Sequence, residues 1–318
     1  INTFSGDKQA QHRFTINQPV DGSIQTSLRI FAPPEGQLLD GIGSMLREPH
    51  GCFEQTSSST YPNIFILKYL RESGKTNPEV TARAMKYIES GYKRLISYET
   101  AQHGFEWFGH TPPHEALTAY GLLEFTDMQA FIDVDKDMLA RTKAFLLSRR
   151  DGKGSFKLAT RGLDQFAAVP DAIANIYIVY ALTQAGIGHE IAPEYKTALK
   201  KALESGDAYQ MAMMALAADN MKNGADYQQL MQLLEQNYRE KHLSAVTTVV
   251  NSRDVSLRVE TLSLYIMALG RAKTPDTGKM AFLISKIMSE KTYYGYGSTQ
   301  ATVLALNAIV DYLRIKGS

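Results

Sequence analysis

The stretches "IANIYIVYAL" (173–182) and "MAMMALA" (211–217) are apolar on nearly every helical face. A helix with no polar face has to be covered on both sides, which a single layer of helices cannot do. From Gln37 onward the chain reads as helical almost throughout. "NPEVTARAMKYIESGYKRLISYE", "DKDMLARTKAFLLSRR", "VETLSLYIMALGRA" and "STQATVLALNAIVDYLRI" all space their apolar residues by three and four. Asn77–Pro78 and Asp171 read as helix starts, and Gly74, Gly186 and Gly270 as stops. A looser repeat overlies this pattern. A Gly-aromatic loop precedes an Ala/Tyr/Leu-rich helix in "HGFEWFGHTPPHEALTAYGLLEF", in "GKGSFKLATRGLDQFAAVPDAIANIYIVYAL" and in "YYGYGSTQATVLALNAI". Similar helices at 207–218 and 258–269 lack the loop. Stacked helical hairpins follow from such a repeat. An α/α toroid, two concentric rings of helices, fits the all-round apolar segments better than a bundle. An open solenoid is the alternative.

Residues 1–35 differ. "HRFTINQP" and "SIQTSLRIFAPP" alternate apolar and polar residues between turn signals, and read as two or three strands. Two strands are not stable unaided, so they are expected to belong to a β-domain completed by other sequence. The expected division is 1–35 β segment and 36–318 helical domain. The chain reads as a fragment of a larger protein, with no signal-peptide pattern and no apolar run long enough to span a bilayer. A net charge of +1 gives no electrostatic reason to expect nucleic acid or an anionic membrane as partner.

The chain holds one cysteine, Cys52, so no internal disulfide is possible. Gln55 follows three positions later, close enough for the two side chains to meet if the chain turns. A thiol that attacks a glutamine carboxamide expels ammonia and leaves an internal thioester, an acyl donor with a good leaving group. C-x-x-Q alone is weak, because a buried inert cysteine is the commoner case. A reactive ester needs shelter from water, and Phe53, Tyr61 and Phe65 are the aromatic candidates nearby. Glu54 could orient the amide or move a proton, or merely complement the helix N-terminus. In the hydroxyl run Thr56–Thr60, one side chain is a candidate cap for the helix that follows.

The context raises the weight of the motif. "GCFEQ" (51–55) resembles the Gly-Cys-Gly-Glu-Gln thioester motif of the α2-macroglobulin and complement thioester proteins, and "TYPNIFILKYL" continues the resemblance. "YYGYGSTQATVLAL", with Gly297, Ser298, Thr299 and Gln300, resembles the Gly-Ser-Thr-Gln-Ala-Thr segment near the end of the same domain. "PPHEALTAYGLLEF" lies at a matching intermediate spacing. The resemblance implies an α/α toroid inserted into a small β-domain, called CUB, of which residues 1–35 would be the leading part. It also implies a single-use covalent trap rather than a turnover enzyme. The partners would be target proteases or other amine-bearing surfaces, together with neighbouring macroglobulin and CUB domains, in an extracytoplasmic setting. No cofactor beyond the Cys–Gln cross-link is implied. Phe53 replaces the glycine of the animal motif, a variation that points toward a bacterial macroglobulin with a defence role.

A second departure concerns chemistry. Family members that transfer to hydroxyls use a histidine well downstream of the cysteine. Here the corresponding stretch, "GSFKLATRGLDQF", contains none; an ungapped count puts Asp164 at that position, with Leu163 and Gln165 as register alternatives. Amines are therefore expected to be preferred over carbohydrate hydroxyls. His103, His110 and His114 cluster in a Pro-interrupted loop, but no further ligand completes a zinc set, and no metal is expected. His50, two residues before Cys52, is a further candidate neighbour of the reactive group. Phe105, Trp107 and Phe108 read as a plug for the toroid interior. "DGKGSF" (151–156) lacks the spaced carboxylates of a calcium loop and reads as a turn. Two other readings stay open: a toroid enzyme of the prenyltransferase, cyclase or glycosidase type, and a binding module with a spent thioester.

Overall fold

The computed structural model describes residues 45–159, 169–292 and 295–317. The expected β segment at 1–35 and Asp164 lie outside the described residues. Eleven α-helices are present among those described: α1 (Phe53–Glu72), α2 (Pro78–Ile96), α3 (Glu115–Met128), α4 (Lys136–Ser148), α5 (Asp171–Gln184), α6 (Ala192–Ser205), α7 (Ala208–Asn220), α8 (Gly224–Lys241), α9 (Asp254–Leu269), α10 (Thr277–Ser289) and α11 (Thr299–Gly317).

The odd-numbered helices form a closed ring. Each of α1, α3, α5, α7, α9 and α11 packs on the next, and α11 returns to α1. The even-numbered helices pack outside them, giving an α/α toroid. This division follows from the side chains. Every residue from Ile173 to Thr183 in α5 and from Ala208 to Ala218 in α7 is buried. Outer helix α2 buries only Val80, Ala84, Ile88, Gly91 and Leu95, one stripe at helical spacing. Asp and Asn side chains at Asn77, Asp135, Asp207, Asn223 and Asp276 accept backbone N–H groups at the starts of α2, α4, α7, α8 and α10. Chain breaks at Gly74, Gly186 and Gly270 fall within two residues of the ends of α1, α5 and α9.

The three Gly-aromatic loops share one device. Each closes with a single antiparallel bridge, Glu99 to Phe105, Arg150 to Phe156 and Thr292 to Gly295. Each then buries an aromatic side chain, Phe105, Phe156 or Tyr296, in the core. The backbone N–H of that aromatic donates to a polar side chain one turn into the following inner helix. The acceptors are Thr118 Oγ1 at 2.8 Å, Asn175 Oδ1 at 2.7 Å and Thr302 Oγ1 at 3.0 Å. The repeat seen in the sequence is thus a docking unit, in which a buried amide finds its acceptor on the helix it precedes.

Removing one acceptor tests this device. Thr118→Val keeps the shape but strands the buried Phe105 N–H, at an expected cost of about 1–3 kcal/mol. Chemical denaturation should show a similar loss for Thr302→Val. A loss below about 0.5 kcal/mol in both would mean that the loops are held by packing alone.

Candidate functional site

The site is built where α1 begins. Gly51 has φ +78°, a conformation that an L side chain adopts only with strain. A Cβ there would lie 1.9 Å from Gln55 Oε1, so the glycine also makes room for the folded-back carboxamide. Cys52 is the N-cap of α1 in extended backbone conformation. Its N–H donates to Gln55 Oε1 at 3.2 Å, while its side chain faces the Gln55 backbone N–H in the reciprocal half of a capping box. Cys52 is partly buried and packs against the core; Gln55 is exposed. The structure therefore folds the Gln55 carboxamide back onto the Cys52 backbone, and sets the Cys52 side chain against the Gln55 backbone.

Neighbouring elements fix this turn from both sides. The Gly51 carbonyl accepts from Arg94 Nε at 2.9 Å, Arg94 Nη2 at 2.8 Å and the Tyr98 hydroxyl at 2.6 Å. On the other side of Cys52, the Phe53 N–H donates to the Trp107 carbonyl at 2.9 Å. The Trp107 indole N–H in turn donates to Glu54 Oε2 at 2.9 Å. Trp107 is buried, as expected for a plug, and so is Phe105, whereas Phe108 is exposed.

Of the aromatic residues near the motif, Phe53 points into the core. Its ring lies 5.0 Å from Phe105 and 6.3 Å from Tyr98, and Gly121 of α3 makes space for it. The bulk that departs from the animal motif is thus absorbed below the turn. Tyr61 and Phe65 are not brought to Cys52. They stack on each other at 5.3 Å further along α1, where the Tyr61 hydroxyl donates to Asp127. The hydroxyl run also differs from its expected role as a cap. Because α1 starts at Phe53, the run lies inside the helix, and Ser59 and Thr60 donate back to the carbonyls of Gln55 and Thr56. Thr56 donates to the His50 carbonyl at 3.1 Å.

The two sequence motifs meet. A groove of about 420 Å³ runs between His50, Glu54, Gln55 and Ser58 on one wall and Gly297 and Thr299 on the other. A smaller cavity of about 70 Å³ continues inward past Ser58 and Ser298 to Tyr120 and Gln300. Ser298 caps α11 through the Ala301 N–H and donates to Glu260 Oε1 at 3.1 Å. The Ser252 hydroxyl reaches the same oxygen at 2.5 Å. Glu260 is wholly buried, and desolvation pushes its carboxyl up to about 7 despite the hydroxyl donors. Glu124, also wholly buried, is raised well above the usual range for the same reason.

Two of the three loop histidines, His103 and His114, have local partners for their side chains. His103 contacts Glu99 at 3.2 Å, and His114 Nδ1 accepts from the Leu117 N–H at the start of α3. Burial lowers the His114 pKa and favours the neutral ring that this bond needs. Among the described residues no three His, Cys, Asp or Glu side chains gather as a metal site.

Sequence reasoning missed Arg94, Tyr98, Glu124 and Glu260. The two glutamates carried a signal, each being a carboxylate set among apolar and small residues in the middle of an inner helix. Arg94 and Tyr98 carried none, because only the α1–α2 hairpin brings them to Gly51.

Residues 34–312 match the A-macroglobulin TED domain family model, and the chain belongs to that family. It is similar to ovostatin of Gallus gallus, 25% identical over an alignment that covers 92% of this chain and 22% of that protein. The chain therefore spans about a fifth of this relative's length.

Two experiments test the site's construction. Gly51→Ala should cost about 1–2 kcal/mol for the left-handed backbone alone. The clash with Gln55 adds to this, so Gln55→Ala in the same chain should recover part of the loss, read as a coupling energy in a double-mutant cycle. Additive effects would mean that the carboxamide does not rest on Gly51. Glu260 should make stability fall with pH. Its folded pKa lies above the unfolded value, so the unfolded chain releases the proton first as pH rises. The stability lost between about pH 4.5 and pH 7 is on the order of 3 kcal/mol. Glu260→Gln should flatten that part of the denaturation profile, and an unchanged slope would contradict the assignment.

Proposed function

We propose that this domain stores one acyl group as a thioester between Cys52 Sγ and Gln55 Cδ, and releases it once to an attacking amine. The observation that carries the reading is the Gln55 carboxamide folded back onto the Gly51–Cys52 peptide, in a chain of the TED family. Closure is balanced without a co-reactant: the sulfur attacks Cδ, the C–N bond breaks, and the thiol proton leaves with ammonia. Opening reverses the exchange, since an amine nitrogen attacks Cδ, the C–S bond breaks, and the thiolate takes up the amine's proton.

The exposed face of Gln55 opens onto the groove between the two motifs, which is the route for an incoming nucleophile. Lysine amines are the expected acceptors, because the stretch aligned with the family's transfer histidine holds Asp164 and no imidazole. Attack by a neutral amine needs no second nucleophile; attack by a hydroxyl does. The biological acceptors in this reading are proteases, or amine-bearing surfaces close to them. The domain would act as a trap within a larger extracytoplasmic macroglobulin, beside its CUB and macroglobulin domains. Among the described residues no helix is long and apolar enough to cross a membrane.

Incubation with methylamine tests the reading. One equivalent should become linked at Gln55, mapped by peptide sequencing in the mass spectrometer, with one thiol released in step. The rate should rise with pH as the amine loses its proton, and glycerol at equal concentration should react far more slowly. No incorporation at Gln55 would refute the proposal; equal reactivity of glycerol would refute the amine preference.

A further inference from the structure

The Gly51–Cys52 peptide joins two sets of hydrogen bonds. Its carbonyl receives three close donors, two of them from one guanidinium, at 2.6–2.9 Å, and a longer one from the Thr56 hydroxyl at 3.4 Å, which leans mainly on the His50 carbonyl at 3.1 Å. Its N–H points the other way, at Gln55 Oε1. That oxygen is where charge collects in the chemistry proposed above. Attack on Cδ, by sulfur in closure or by an amine in opening, pushes the carbonyl π electrons onto Oε1. A backbone N–H aimed at a developing oxyanion is the arrangement that acyl-transfer sites use to stabilise it.

Resting on that thioester reading, we infer that the Cys52 N–H is the oxyanion donor of this site and that Arg94 and Tyr98 are positioning residues that strengthen it through the peptide. Hydrogen bonds in series polarise one another, and a charged donor does so most. Positive charge at the Gly51 oxygen draws electron density from the Cys52 nitrogen and makes its N–H a better donor. The 3.2 Å separation is long for the ground state, and leaves room to tighten as Oε1 becomes negative. The same contacts hold Gly51 in the conformation that aims the N–H. Arg94 itself is a surface residue at the end of α2. Its side chain spends its charge on a neutral carbonyl although water is available, which packing of α2 against α1 does not require.

The interaction acts on both directions of the reaction, because the intermediate places its charge on the same atom each time. Electrons and atoms balance as before: Oε1 gains and then returns the electron pair, and no other group enters.

The test uses the full 318-residue chain and the rate of thiol release under excess methylamine. Arg94→Met should slow release roughly tenfold, and Tyr98→Phe roughly twofold to threefold, since each acts one peptide away from the oxyanion. Arg94→Lys should recover part of the rate. Low millimolar guanidinium should accelerate Arg94→Ala but not the wild type. A merely structural arginine would not respond to a free cation. Failure of Arg94→Met to close the bond at all, in a chain with native circular dichroism, also supports the inference provided that Arg94→Lys closes it. Rates within twofold of wild type, or slowing that neither lysine nor guanidinium relieves, would overturn it. A wild type that releases no thiol would instead overturn the thioester reading, and this inference with it.

Discussion

A thiol and a carboxamide three residues apart meet only if the chain turns sharply between them, and here that turn depends on one peptide unit. Gly51 supplies the left-handed backbone and the empty space above it; Cys52 supplies an N–H for Gln55. Arg94 and Tyr98 hold the carbonyl from outside, and Trp107 holds the next N–H from below. The turn also doubles as the start of α1. The capping-box geometry there, in which Gln55 Oε1 accepts the Cys52 N–H and the Cys52 side chain faces the Gln55 N–H, is made from the two side chains proposed to react. Helix capping and chemistry thus share one geometry.

The ring of helices makes this turn possible. It brings the end of α2, the loop before α3 and the segment before α11 to one rim, although they lie far apart in the chain. Tight closure needs inner helices that are apolar or small on most faces, and those helices still carry buried carboxyls: Glu115, paired with Arg149, and two strongly desolvated ones, Glu124 and Glu260. Both are held in the range where protonation is favoured, which limits the cost of burying them. Glu260 also ties the Ser298 cap to the α8–α9 loop through Ser252. The wall of the groove facing Gln55 is therefore anchored in the core rather than left as a free loop.

The toroid was legible because burial on both sides leaves a mark that amphipathic helices do not, as in 173–182 and 211–217. The Gly-aromatic repeat was legible too, although its cause, an amide docking on Thr118, Asn175 or Thr302, is a tertiary contact with no local signature. The start of α1 was harder. Cysteine is not a usual N-cap residue, and the Ser/Thr run after it looked like the cap, so the helix was expected to begin later than Phe53. Cys52 and Gln55 stood out by spacing and resemblance. Arg94 and Tyr98, 43 and 47 residues from Gly51, could not. Their role exists only once the hairpin folds.

The most direct test of the central claim is the intact mass of the untreated chain, unfolded in acid so that no nucleophile is added. A closed thioester predicts a mass lower than the sequence mass by one ammonia, about 17 Da, with a fragment spectrum linking Cys52 to Gln55. Cys52→Ala should show no such deficit. A wild-type chain at full sequence mass, with Gln55 still an amide and a free thiol at Cys52, would contradict the account.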